Sequence, residues 1–242
     1  MKIVYACNFN LNGYAGKDRA TRQKLEAMYK QVERLQILSA KPGLIGKLLS
    51  IPVVEIKCIK ILLIDTPDVL VTRGYIGFFA QWIARFKKVI TVREVHSDQI
   101  GEIKLLKKNR LSKFILFFLA KYSQSIDKKS NLRIFNNPTL KDWYDQKHGL
   151  NEFDIYCYNG FSEETVPSLT KAEARKKFGF FEDTVYLIFT GSASTWHGVD
   201  YLVNLQAELN KLNSNMQIVC GGGKVGKFLD PENLLFNITP LD

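Results

Sequence analysis

The chain has 242 residues, 46% hydrophobic and 12% aromatic. That composition excludes a disordered or fibrous protein and allows one large domain or two small ones. Thirty-four basic residues against 24 acidic ones give a net charge of +10, which points to an anionic partner: a nucleotide, a nucleic acid or a membrane surface. Cys7, Cys58, Cys157 and Cys220 are scattered with no C-x-x-C pair, which argues against a zinc site. Cys7, Cys157 and Cys220 sit in apolar runs and read as buried thiols, which suits a reducing compartment. The N-terminus carries no signal peptide, and no run reaches the roughly 20 apolar residues of a membrane span, so a cytoplasmic protein is expected.

Residues 2–7 read as a buried strand, 8–16 as a loop holding Gly13 and Gly16, and 17–34 as a helix. Its apolar face is Ala20, Leu25, Met28, Tyr29 and Val32. The loop is neither the dinucleotide fingerprint nor a P-loop, because Gly16-Lys17 lacks the earlier glycine and the Ser/Thr. It reads either as a tight turn or as a ligand-facing loop. Lys17, Arg19 and Arg22 oppose the helix dipole, which favours a use for them such as meeting an anion. A strand over 35–40 ends at Lys41-Pro42-Gly43, and 44–64 is ambiguous between helix and strand. Then come a strand at 68–72, a helix at 75–86 and a strand at 89–95. Strands alternating with helices predict an α/β fold with a parallel sheet covered on both faces.

The strand at 89–95 runs into Arg93-Glu94-Val95-His96. Ligands of open α/β sheets bind at the carboxyl ends of strands, so His96 reads as a candidate site residue, with a surface-loop histidine as the alternative. Glu94 either pairs with Arg93 or orients something at the site, and Arg73-Gly74 falls on the same rim. Residues 101–133 hold nine basic residues and two acids around the apolar block Phe114-Ile115-Leu116-Phe117-Phe118-Leu119-Ala120. That block reads as a core helix with a solvated basic end or as an interfacial helix on anionic lipid.

A strand at 132–135 precedes a helix at 139–148, ended by Gly149, with His148 as a favourable C-terminal cation. Residues 153–161 read as a strand closing on Asn159-Gly160. The polar stretch 162–180, with a helix at 172–178, reads as a connection. This sets domains at 1–165 and 184–242 with a link over 166–183. Residues 184–205 form a buried strand, a small-residue loop (Thr190-Gly191-Ser192-Ala193-Ser194-Thr195) and a helix with apolar positions 199, 202, 203, 209 and 212. Such a loop suits phosphate. Strands at 216–220 and 234–238 follow.

Three segments carry a family resemblance: Thr190-Gly191-Ser192 with His197-Gly198-Val199-Asp200-Tyr201-Leu202, Asn159-Gly160 ahead of it, and Arg93-Glu94-Val95-His96. In this order they resemble the GT-B glycosyltransferases, especially family 4. The resemblance implies a Rossmann-like N-terminal domain, on the acceptor side, and the first part of a second, nucleotide-sugar-binding one. It implies a retaining, metal-independent transfer of sugar from a UDP- or GDP-sugar to an acceptor hydroxyl, in cell-surface polysaccharide assembly. His96 and Glu94 would be catalytic, His96 contacting the transferred sugar. Gly13, Gly16, Lys17 and Arg73 would bind substrate, and Gly191, Ser192 and His197 the donor diphosphate. No cofactor is expected beyond the nucleotide-sugar substrate, and no metal. The implied partners are a saccharide or lipid-linked acceptor and an anionic membrane surface met through residues 101–133, at the inner face of the membrane; no nucleic acid is expected.

The chain also departs from the pattern. The Arg and Lys that usually neutralise the diphosphate stand as Ser192 and His197, which weakens leaving-group stabilisation. The family's paired glutamates, seven residues apart, are absent from the short stretch 184–242. A fragment, a partner chain completing the second domain, or a decayed enzyme would each account for this. Two rival functions follow: a non-catalytic acceptor-binding subunit, and a basic α/β nucleic-acid binder marked by steep salt dependence and aromatics on an exposed sheet face.

Overall fold

Alternation of short apolar strands with helices builds one parallel sheet in the first part of the chain. A computed structural model describes residues 1–8, 11–12, 16–39, 44–106, 109–158, 169–190, 198–212, 215–221 and 236–238. Gly13, Gly191, Ser192 and His197, and the Asn159-Gly160 pair, lie outside the described residues. The chain divides into two compact units, Met1–Lys104 with Lys108–Glu163, and Leu105–Lys107 with Glu164–Asp242.

The first unit runs β1 (Lys2–Cys7), α1 (Gly16–Tyr29), β2 (Arg34–Leu38), α2 (Leu44–Ile64), β3 (Val69–Arg73), α3 (Phe78–Phe86), β4 (Ile90–Val95), α4 (Gln99–Leu105), α5 (Arg110–Asp127), β5 (Leu132–Phe135), α6 (Pro138–His148) and β6 (Ile155–Tyr156). The strands lie in the order β2-β1-β3-β4-β5-β6, all parallel. The chain moves one way from β1 to β2 and the other way from β1 to β3, so the order reverses at β1/β3. That switch point is where ligands of such sheets bind.

Side chains of β1 alternate between two cores. Ile3, Tyr5 and Cys7 pack with Leu25 of α1 and with Val71 and Val92. Val4 and Ala6 face Val54, Cys58 and Leu62 of α2 and Ala80 and Ala84 of α3. The ambiguous stretch 44–64 is therefore a helix: its buried stripe recurs every four residues, and Pro52 sits inside it, on the exposed side. The first helix ends at Tyr29 because Arg34 already opens β2; Tyr29, expected on the apolar face, is exposed. The helix expected from 75 starts at Phe78. Its N-cap is Gly77, at φ 113°, where an added Cβ would come within 2.8 Å of Thr72. The cap is instead the buried Glu55 of α2, whose carboxylate accepts from the Gly77 and Ala80 backbone N–H groups, each at 2.7 Å.

Two buried arginines lie side by side in β4 and β5, Arg93 opposite Arg133. Arg93 donates from Nε to Asp127 Oδ1 at 2.6 Å, from Nη1 to the Ile76 carbonyl at 3.0 Å and from Nη2 to Ser123 Oγ at 2.9 Å. Tyr144 of α6 donates to the other Asp127 oxygen at 2.6 Å. Arg133 donates from Nε to Asp154 at 2.6 Å. Each buried charge thus has its own carboxylate, which is the condition under which such charges are tolerated.

The second unit holds α7 (Lys171–Phe178), β7 (Val185–Thr190), α8 (Val199–Lys211), β8 (Met216–Gly221) and β9 (Phe236–Ile238). Its strands form a parallel sheet in the order β7-β8-β9. A capping box between Thr170 and Glu173 starts α7, and Gly179 ends it in the left-handed region. The expectation of a buried strand at 185–189 is corrected: β7 pairs with β8 along its length, but Val185, Leu187 and Ile188 are exposed. The buried strand is β8, through Ile218, Val219 and Cys220.

Further expectations also change. The strand at 153–161 is only Ile155–Tyr156 among the described residues. Cys157, just past it, is exposed rather than buried. His148 is no helix-end cation. Its ring lies 4.9 Å from that of Tyr144, and burial, followed by the charges of Lys128 and Lys147, pushes its pKa down and keeps it neutral.

The Arg93 network yields a stability prediction. Arg93→Met leaves Asp127 buried without its cation, so chemical denaturation should show a loss of about 3–5 kcal/mol. Adding Asp127→Asn should recover part of it, because the stranded charge is then gone.

Candidate active site

The carboxyl ends of β1, β3 and β4 set three residues in register: Cys7 opposite Arg73, and Arg73 opposite Glu94. Alternation along β4 sends Arg93 to the α3/α5 layer and Glu94 to the α1 layer. Pairing of Glu94 with Arg93, one of the two sequence readings, is therefore corrected. Glu94 is buried and is met by four other groups. It accepts from the Tyr5 hydroxyl at 2.9 Å and from Lys24 Nζ, lies 3.4 Å from His96 Nε2, and has Arg73 Nη1 at 3.8 Å. Arg73 also donates to Thr21 Oγ1 of α1 at 2.6 Å.

The glycine after Arg73 shapes the rim. Gly74 has φ 76°, and a Cβ there would fall 1.8 Å from Asn8 Oδ1, the same oxygen that accepts from Tyr75 N–H at 3.2 Å. The Gly74 carbonyl in turn accepts from Arg93 and from Ser123. The turn that ends β3 is thus pinned both to the loop after β1 and to α5.

Electrostatics in the cluster follow from this packing. Burial by itself would raise the Glu94 pKa. The hydrogen bond from His96, then the charge and hydrogen bond of Lys24 and the charge of Arg73, outweigh it and hold the carboxyl at about 2. Burial lowers the pKa of Lys24, against the opposing pull of Glu94. It also lowers that of His96, with Glu94 opposing and Arg73 reinforcing, so His96 is neutral at pH 7. A neutral imidazole whose Nε2 faces a carboxylate carries its proton on Nε2, which leaves Nδ1 as the acceptor. Two cations against one carboxylate make the rim net positive, a setting suited to an anionic ligand.

Of the residues singled out in the sequence, Glu94, His96 and Arg73 come together here. Gly16 is the first residue of α1; the Lys17 side chain lies outside the described residues. Sequence reading missed Tyr5, Thr21 and Lys24. The signal for Lys24 was a lysine beside Leu25 in the α1 stripe that includes Thr21 and Met28. Asp18, one turn before Thr21, was also missed. It is buried, and among the described residues its Oδ1 has no hydrogen-bond partner. No three His, Cys, Asp or Glu side chains among the described residues gather in a way that could hold a metal ion. A hollow of about 430 Å³ opens elsewhere, at the amino ends of β4 and β5 between Lys88, Ile90, Leu132 and Phe153.

No protein-family model matches the chain, and no curated protein matches it in sequence. Solved structures do match. Sucrose-phosphate synthase from Thermosynechococcus elongatus superposes with a TM-score of 0.67 at 10% identity, over 96% of this chain and 64% of that one. HepE of Anabaena in complex with UDP gives 0.56 at 14% identity, over 99% and 69%. UDP-GlcNAc 2-epimerase from Neisseria meningitidis bound to UDP-GlcNAc gives 0.55 at 14% identity, over 100% and 73%. The likeness is one of fold: the chain has a GT-B-type fold with Rossmann-like parallel sheets. It spans 64% of the length of the synthase.

The cluster's charges predict a pH dependence of stability. Glu94 titrates lower in the folded chain than its ordinary 4.5, so its contribution is complete above that pH and is lost as pH falls toward 2. His96 is also held below its ordinary 6.5, so the unfolded chain binds that proton first and stability falls with pH below 6.5 as well. Denaturation midpoints should therefore rise with pH through both windows. In Glu94→Gln the lower rise should shrink.

Proposed function

We propose that this chain belongs to a nucleotide-sugar glycosyltransferase that moves a sugar from a UDP- or GDP-sugar to an acceptor hydroxyl with retention of configuration. The observation that carries the reading is the positive Arg73/Lys24/Glu94/His96 cluster at the carboxyl edge of a GT-B-type sheet, beside its switch point. In this reading His96 is catalytic: Nδ1 of the neutral imidazole accepts from a hydroxyl of the transferred sugar. Glu94 is the positioning residue, because its hydrogen bond fixes the imidazole's tautomer. A carboxylate already taken up by Tyr5, Lys24 and His96 is poorly suited to accept a further proton. Arg73 and Lys24 supply positive charge for an anionic substrate on the first unit; in the second unit, Gly191, Ser192 and His197 are the residues for the donor diphosphate. Gly13, Gly16 and Lys17 shape the acceptor side.

The reaction needs no metal in this account, since the chain's own cations offset charge on the departing phosphate. The acceptor is a saccharide or a lipid-linked sugar in cell-surface polysaccharide assembly, met at the inner face of a membrane. An acceptor-binding subunit without its own turnover is the runner-up. Similarity to UDP-GlcNAc 2-epimerases makes donor epimerisation the other product to look for.

Donor turnover separates these readings. Incubation with UDP- and GDP-sugars should release nucleoside diphosphate, with the sugar appearing on a saccharide acceptor. His96→Ala should lower turnover by about 100-fold or more with little change in thermal stability. Donor binding without turnover would leave the acceptor-binding reading, and an epimerised donor would replace transfer altogether.

A further inference from the structure

Helix α5 is packed inside out. Its buried side carries, beside Ala120 and Ile126, the polar Ser123 and Asp127, which bind Arg93, and Ser123 also donates to the turn after β3. The apolar block of its first half faces outward instead: Leu111, Phe114, Ile115 and Phe118 recur at helical spacing and are all exposed. The neighbouring α3 does the same, with Phe79 at 58%, Trp82 at 70% and Phe86 at 88% exposure. The two helices join through Phe78, whose ring stacks on Tyr122 of α5 at 5.2 Å and meets Phe79 edge-on at 5.1 Å. Phe114 and Phe118 form a second aromatic pair at 4.6 Å. On the far side of α3, α2 adds exposed Val53 and Ile56. Soluble proteins rarely leave an apolar area of this extent uncovered.

Charge identifies what covers it. The carboxylates on these three helices, Glu55 and Asp127, are both buried and hydrogen-bonded inward. Every exposed formal charge on α2, α3 and α5 among the described residues is positive, including Lys57, Lys60 and Lys121. Lys121 Nζ sits 5.6 Å above the Phe117 ring, a cation held against the aromatic surface. The cores of protein–protein interfaces are depleted in lysine, whereas basic residues among aromatic and aliphatic ones suit anionic headgroups above an acyl layer. None of these helices is long and apolar enough to cross a membrane.

We propose that the outer surface of α2, α3 and α5 docks on an anionic lipid bilayer. The phenylalanines and Trp82 enter the interfacial layer while the lysines meet lipid phosphate. The surface is wider than the basic stretch 101–133, because α2 and α3 contribute to it. Docking stands independently of the sugar-transfer reading, since it rests on a different layer of the sheet from Glu94 and His96.

Sedimentation of the full chain with vesicles tests it. Phosphatidylcholine vesicles containing phosphatidylglycerol should carry the protein down, phosphatidylcholine alone should not, and added salt should weaken binding. Replacing Lys57, Lys60 and Lys121 together by Gln should weaken it on the order of 100-fold. Trp82→Ser with Phe118→Ser should abolish it with the far-ultraviolet spectrum unchanged, since both side chains are exposed. Trp82 emission should shift to the blue on anionic vesicles, and the shift should vanish in Trp82→Phe. Failure to bind vesicles, or binding indifferent to lipid charge and to the lysine changes, overturns the proposal. So does self-association that Trp82→Ser with Phe118→Ser removes while no vesicle binds, because the occupant is then a second copy of the chain.

Discussion

A charge inside a protein is tolerated only where fixed partners replace the water it has lost, and β4 carries two in succession. Strand geometry sends Arg93 and Glu94 to opposite sides of the sheet. Arg93 binds Asp127, Ser123 and the carbonyls of the turn after β3, which holds α5 and α6 against the sheet. Glu94 binds Tyr5, Lys24 and His96 on the other side, which holds α1 at the strand ends. Replacing either would strand buried partners in two elements at once.

The two faces of the first unit therefore differ in kind. On the α1 side the sheet edge presents a positive, hydrogen-bonded rim with one neutral histidine. On the other side, α2 buries Val54, Cys58 and Leu62 and leaves Val53 and Ile56 outside, whereas α3 and α5 bury mostly small or polar residues and turn aromatic ones outward. The inward polarity of α5 follows from Arg93, because a buried guanidinium requires Ser123 and Asp127 beneath it. Once that side of the helix is polar, the apolar side has only solvent or a partner to face.

Much of the fold was legible in the chain. Alternating apolar runs and helical stripes located β1, β3, β4 and β5, and the parallel sheet followed from their spacing. The stretch 44–64 was not legible, because Pro52 and the β-branched run around it mask the buried stripe of Val54, Cys58 and Leu62. The cap on α3 was hidden too, since Glu55 lies 22 residues before Gly77. His96, Glu94 and Arg73 could be picked out because they end strands. Tyr5 and Lys24 reach Glu94 across 89 and 70 residues, a proximity that only strand order creates. Periodicity reveals that α5 has an apolar face but not which way it points; the sign is set by Arg93, on another element.

The proposed chemistry depends on a neutral His96 whose tautomer is fixed by a buried, ionised Glu94. Nitrogen-15 resonances of the histidine rings, with His96 assigned by loss of its signals in His96→Gln, report this directly. The predicted result is a ring at pH 7 protonated on Nε2 alone, titrating below the ordinary histidine value and changing tautomer balance in Glu94→Gln. An imidazolium at pH 7, or a ring protonated on Nδ1 and indifferent to Glu94→Gln, would contradict the account.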